Sequence, residues 1–332
     1  MTSPLALAVR FQPAVQVGLG YNPGLGHGMR ATYNPGVHRF AIFLVCWTVL
    51  LLIAGALVTS NEAALSVPDW PLSYGTLTPP MVGGIRYEHS HRVIAALAGM
   101  LTIILAVLLW RKEQRRWVRN LGFAAIAAVV AQGVLGGLTV LLYLHYGMPV
   151  AHACLAQIFF GLVVSLAIFT SHWWTSEHQA LEDRGSLSIH GLAILNAAAI
   201  FGQVVLGAGF RHQDIPIWPH IVGAGVVLGT VTWTAIALRK RFGASPELSK
   251  ARIMLHAILG TQLLLGFGAW WSRISTGEAP QPKPVMVTFT VIHTVVGALL
   301  FALSVAVVLV CYRLVPRKRE VLAAAQREAT IS

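Results

Sequence analysis

Apolar residues in this chain come in long unbroken runs, without the alternation of a half-buried strand or the polar face of a surface helix. Eight runs stand out, at about 39–59, 91–110, 121–142, 149–170, 189–209, 219–238, 253–271 and 287–312. Each is close to the roughly 20 residues an α-helix needs to cross a hydrocarbon core. A backbone in lipid must satisfy its own hydrogen bonds, so only helices and closed barrels span a bilayer. The runs lack the two-residue period of barrel strands. The pattern therefore predicts an all-α integral membrane protein with eight transmembrane helices.

Composition agrees. Of 332 residues 56% are hydrophobic and 11% charged, against about 25% charged in soluble domains. The loops are too short for a separate soluble domain, which excludes a cytosolic enzyme on a membrane anchor. They also exclude a nucleic-acid binder, because the basic residues behind the net charge of +12 sit in short runs between apolar segments. Placing both termini and the even-to-odd loops on one side puts 19 of the 24 Lys and Arg there and leaves Arg86, Arg92, Arg211, Arg273 and Lys283 opposite. By the positive-inside rule both termini are cytoplasmic, in the cell inner (plasma) membrane. Loops 60–90 and 272–286 then face outward.

Residues 1–38 are rich in Gly and Pro and repeat Tyr-Asn-Pro-Gly at 21–24 and 33–36, which predicts turns or disorder. They show no signal-peptide pattern, and Met29 is an alternative start. Residues 313–332 form a basic, then amphipathic, cytoplasmic tail. Cys46, Cys154 and Cys311 lie in apolar stretches without metal-type spacing and are expected to be small buried hydrophobes.

Aligning the spans reveals a repeat. The third, fifth and seventh carry Q-x-x-L-G, as Gln132 to Gly136, Gln203 to Gly207 and Gln262 to Gly266. Each is followed by an outward loop and a span bearing one histidine: His152, His220 or His293. His91 opens the second span in the same way. Two hairpins make four spans, so 39–170 and 189–312 share one orientation, and the chain is expected to be two pseudo-symmetric four-helix bundles. The glycines are expected to let helices approach closely, and the glutamines to hydrogen-bond between helices.

Ionisable residues inside spans are expensive and face a bundle interior or a cavity. Four histidines at equivalent positions, two per half, match the two axial imidazoles a haem iron takes from facing helices. Zinc would want three or four converging ligands. A proton relay would add carboxylates along the spans, yet nearly all twelve acidic residues lie in loops or near helix ends. Gating and interhelix hydrogen bonding stay open as weaker alternatives. At the outward start of span two, Glu88 lies three residues before His91, on one helix face. It either accepts a proton or stabilises positive charge beside a haem held by His91, or serves as a helix N-terminal carboxylate paired with Arg92.

Glu88-x-x-His91-Arg92, the loop Val67-Pro-Asp-Trp-Pro-Leu-Ser-Tyr-Gly75, the Q-x-x-L-G repeats, Arg211-His212 and the four histidines together resemble the haem A synthase family over 39–312. The resemblance implies a membrane oxidoreductase that converts a methyl group of haem O to the formyl group of haem A for cytochrome c oxidase assembly. It implies His91 and His152 as ligands of the substrate haem in the N-terminal half, with Glu88 catalytic. His220 and His293 would be ligands of a haem b in the C-terminal half, and Arg92 and His212 further haem contacts. Implied partners are haem O, haem O synthase, an electron donor or acceptor, the terminal oxidase and membrane lipid. Val67 and Ser73 stand where many bacterial members carry a cysteine pair, as in a cysteine-free subclass. The rival expectations are a di-haem cytochrome exchanging electrons with quinone and a haem transporter or chaperone.

Overall fold

The computed structural model describes residues 33–317; the expectations for residues 1–32 and for the tail beyond 317 lie outside them. Eight helices are long and apolar enough to cross a membrane. They are α1 (Pro35–Ser60), α2 (Ile85–Lys112), α3 (Arg116–Leu141), α4 (Met148–Phe169), α6 (Ile189–Arg211), α7 (Trp218–Phe242), α8 (Pro246–Ser275) and α9 (Pro284–Leu314). The short α5 (His172–Thr175) lies between α4 and α6. No named strand occurs among the described residues.

Most helices outrun the apolar stretches that announce them, because polar caps and charged ends extend a helix past the hydrocarbon. The Ser245 hydroxyl accepts from Leu248 N–H and Pro246 occupies the first turn of α8, a favoured start. Arg239, Lys240 and Arg241 close α7, where cations complement the helix dipole. Two expectations are corrected. Residues 35–38 belong to α1, since the Asn34 side chain accepts from Val37 N–H at 3.1 Å and caps the helix; the second Tyr-Asn-Pro-Gly is thus a helix start. Arg313 and Leu314 complete α9, so the tail begins after them.

α1 packs on α2, α4 and α9, and α3 on α2 and α4; α6 packs on α7, α9 and α4, and α8 on α7 and α9. Leu44, Leu105, Leu109, Val118 and Leu166 centre one apolar core. Ile189, Val231, Leu238, Leu255 and Val307 centre the other. Phe160 of α4 meets Ala298 and Ala302 of α9.

Large apolar side chains such as Phe43, Ile103, Phe123 and Leu264 are exposed, as expected of helix faces that lipid covers. Cys311 is buried as expected, but Cys46 is exposed: an apolar outer face accommodates a thiol as well as a core does.

Candidate functional site

Glycine is what places the four histidines. A Cβ added at Gly55 would stand 3.1 Å from Cε1 of His91, and one at Gly136 3.0 Å from Cε1 of His152. At Gly207 and Gly266 the same atom would stand 2.9 Å from Cε1 of His220 and of His293. Each imidazole thus lies on bare backbone of the preceding long helix. A side chain at any of these positions would force the ring to shift. The Q-x-x-L-G glycines are therefore ring seats as well as points of helix approach.

The glutamines make the interhelix hydrogen bonds expected of them. Gln132 Nε2 donates to the His152 carbonyl at 3.0 Å, and Gln203 Nε2 to the His220 carbonyl at 2.8 Å. The same amides lie 3.3 Å from His152 Nε2 and 3.1 Å from His220 Nδ1, and Gln262 Nε2 lies 3.4 Å from His293 Nε2. Nδ1 of His91, His152 and His293 is buried without a hydrogen-bond partner.

The spacing of His220 and His293 is what a haem iron held between two imidazoles would need. The His220 and His293 centroids are 6.3 Å apart and the rings nearly perpendicular, at 85°. Two imidazoles trans on one metal ion, each with a metal–nitrogen distance of about 2.0–2.1 Å, have centroids roughly 6 Å apart. Among the described residues no three His, Cys, Asp or Glu side chains converge as a site for a bare ion. A two-imidazole site requires its other ligands from the bound group, as a porphyrin supplies them.

The loop between α1 and α2 is clamped onto α2. Glu88 is buried; its Oε1 accepts from Arg92 Nη2 at 2.7 Å and its Oε2 from Val67 N–H at 3.0 Å. Arg92 also donates to the carbonyls of Asp69 and Leu72 at 2.6 Å and of Val67 at 3.2 Å. His89 Nδ1 lies 2.9 Å from Ser73 Oγ. The Asp69 carboxylate accepts from Tyr74 and Gly75 N–H, both at 2.7 Å. Those two bonds, Gly75's first, hold its carboxyl below the usual range. Glu88, one turn before His91, and Arg92, directly after it, are thus brought together, with both carboxylate oxygens engaged by the loop clamp.

Arg211, at the end of α6, reaches across to α1: its Nη2 donates to Ser60 Oγ at 2.7 Å, and Ser60 Oγ lies 3.0 Å from Thr290 Oγ1 of α9. Burial first, and then Arg211 beside it, push the His212 imidazole below its ordinary value, against the pull of Asp214. His212 is therefore neutral near pH 7. His145 is exposed in the turn between α3 and α4.

Two features escape a linear reading. Gly55 seats His91 although α1 carries no Q-x-x-L-G, and Leu51 holds the position that glutamine has in the other three hairpins. Aligning the glycine four residues further on, instead of the glutamine, would have found both.

Comparison with known proteins bears on most of the chain. Residues 85–219 match a family model described as cytochrome oxidase assembly protein. The chain is 31% identical over 262 residues to a Bacillus pumilus protein named haem A synthase, covering 70% of this chain and 84% of that one. A haem A synthase of an Exiguobacterium species is 28% identical over 259 residues, 70% of this chain and 81% of its own. One from Lysinibacillus sphaericus is 33% identical over 204 residues, 56% and 63% of the respective chains.

Proposed function

The chain belongs to the haem A synthase family, and from that premise we propose how its residues divide the work. The protein is a membrane oxidoreductase that converts haem O to haem A for cytochrome oxidase assembly. The N-terminal half, 39–170, binds haem O as substrate through His91 and His152. The C-terminal half, 189–312, holds a resident haem b through His220 and His293. Each half is a four-helix bundle, and the two are related by duplication.

The observation that carries this reading is the fourfold recurrence of a histidine lying on a glycine of the preceding long helix, two per half. A resident haem b would supply one-electron redox capacity. The protein's part is to hold and orient the rings, exclude water and present charge at the outer rim. Arg92 and Glu88 close that rim over His91, and Glu88 is the catalytic carboxylate, acting once Arg92 or Val67 N–H yields one of its oxygens. His212, neutral and beside Arg211, serves the haem periphery between the halves. Both termini face the cytoplasm in the plasma membrane, and haem O synthase delivers the substrate.

The test is co-expression with a haem O synthase, followed by haem extraction and chromatography. Haem A is expected; haem O alone would overturn the assignment in favour of a carrier or an electron-transfer cytochrome.

A further inference from the structure

Each ring seat of the C-terminal half is followed by an arginine on its own helix face. Arg211 comes four residues after Gly207 on α6, and Arg273 seven residues after Gly266 on α8. Both spacings return a residue to the face it started from, so each arginine shares the face of a seat. At 1.5 Å per residue they stand about 6 and 10 Å further along, toward the end that holds the α6–α7 and α8–α9 loops. The two side chains converge there. Arg273 Cζ lies 5.8 Å from the ring centroid of Phe210, the residue before Arg211, and the two cations are near enough to repel. Arg211 is also fixed from α9. Its Nη2 donates to the buried Ser60 Oγ at 2.7 Å, and that oxygen lies 3.0 Å from Oγ1 of Thr290, three residues before His293.

That hydroxyl engages one of the five N–H donors of the Arg211 guanidinium. Among the described residues no carboxylate pairs with either arginine. Two permanently charged guanidiniums side by side call for an anion between them, and a carboxylate accepts charge-assisted bonds from both. The N-terminal half is built otherwise. Four and seven residues after Gly55 and Gly136 stand Thr59, Glu62, Val140 and Tyr143, and none is a cation. Arg92, beside His91, is engaged by Glu88 and by three loop carbonyls.

We propose that Arg211, with Arg273 beside it, is a carboxylate site for the propionate side chains of the haem held by His220 and His293, and that Ser60 positions Arg211 for that task. This rests on the reading of those two histidines as a ligand pair. Protohaem carries two carboxylates on one edge of its macrocycle, and the loop end is where this half offers cations to meet them. Retention then draws on charge pairing as well as on iron ligation, and the orientation of the macrocycle is fixed. In the N-terminal half no cation follows a seat, which suits a group that must leave.

The test compares protohaem with its dimethyl ester, whose propionates are neutral. The full-length chain carries His91→Ala and His152→Ala, so that bound haem reports on the C-terminal pair, and is loaded in detergent. The low-spin spectrum and the rate of transfer to an apo-globin are measured. Protohaem is expected to leave at least tenfold more slowly than the ester, since one charge-assisted hydrogen bond is worth about ten- to hundredfold. Arg211→Gln is expected to speed protohaem release about tenfold and to leave ester release unchanged. Arg273 is exposed, where water and salt weaken its pull, so Arg273→Gln should speed protohaem release about two- to fivefold. Ser60→Ala is expected to narrow the difference between acid and ester, which a merely structural role would not move. Arg211→Lys keeps the charge without the planar fork; it should fall between, and it carries the test if Arg211→Gln does not fold. Acid and ester released at one rate, or Arg211 variants that speed both alike as loss of a lipid or packing contact would, overturn the proposal. If adding His220→Ala and His293→Ala leaves the low-spin haem content unchanged, the ligand reading fails and the inference with it. If those two abolish it while acid and ester leave alike, the inference alone fails.

Discussion

The indole of Trp70, from the loop between α1 and α2, lies against the α3 backbone at Gly137, where a Cβ would stand 2.6 Å from its Cδ2. Gly137 directly follows Gly136, the seat of His152. The loop is therefore fastened at two points, to α3 through Trp70 and to α2 through Arg92, and it ties together the two hairpins that carry His91 and His152.

Gly137→Ala is expected to displace the indole, since a rigid bicyclic ring cannot yield locally. Overpacking of this kind costs about 1–3 kcal/mol. Faster proteolysis of loop 60–84 in intact membranes, with the helices undigested, is the measurement. An unchanged cleavage rate would mean that Trp70 does not fasten the loop.

Glu88→Gln removes a buried charge from beside Arg92 and turns an acceptor into a donor facing a donor. The cost of leaving such a charge-assisted bond unmade is about 1–3 kcal/mol. Bound haem is expected to persist while haem A falls roughly tenfold or more, leaving haem O or a hydroxylated haem. Arg92→Gln is expected to give the same products, because neighbours in one network act as a unit. A normal haem A yield in well-expressed Glu88→Gln would remove Glu88 from the site.

The Asp69 turn sets a pH limit. Its carboxyl is held below 3.8 by Gly75 and then Tyr74 N–H. A depressed carboxyl contributes stability that is present above its unfolded value and lost as pH falls through the folded one. Hydrogen exchange at Tyr74 and Gly75, corrected for intrinsic rates, is thus expected to be flat from neutral pH down to about 4 and to rise only below it. Asp69→Asn should show the acid-state exchange already at pH 7.

Gly207→Ala places a methyl group 2.9 Å from His220 Cε1, so the imidazole must tilt or withdraw. Loss of low-spin haem b, or at least tenfold weaker retention, is expected if the misplacement costs about 1.4 kcal/mol or more. Gly202→Ala, on the same helix with nothing within 4 Å of its Cβ position, is the control. Full haem b in Gly207→Ala would dismiss the seat.

Reporter fusions at residues 115 and 80 are expected to report opposite sides, with residue 115 cytoplasmic, given the excess of Lys and Arg on that side. Residue 115 outside would invert the orientation and move the Glu88 rim to the cytoplasm.

Much of this molecule is legible in linear order. Membrane insertion depends on apolar length alone, so the eight spans could be read without knowing what packs on what. The hairpin repeat and its four histidines could be read because the same short pattern recurs along the chain. Helix ends were less accurate, since caps such as Asn34 and Ser245 act through one local hydrogen bond that hydropathy does not register. The pairing of each histidine with a glycine on the preceding helix depends on the register between two helices joined by loops of unequal length, and only the packed structure decides it. So too for Glu88: its spacing placed it beside His91, but only the folded loop, bringing Val67 and Trp70 back over the helices, decided that its carboxylate is shared with Arg92 and a backbone amide. Sequence determines what each segment can bury in lipid; tertiary structure determines which polar groups meet there, because inside a membrane every such group must find its partner within the protein.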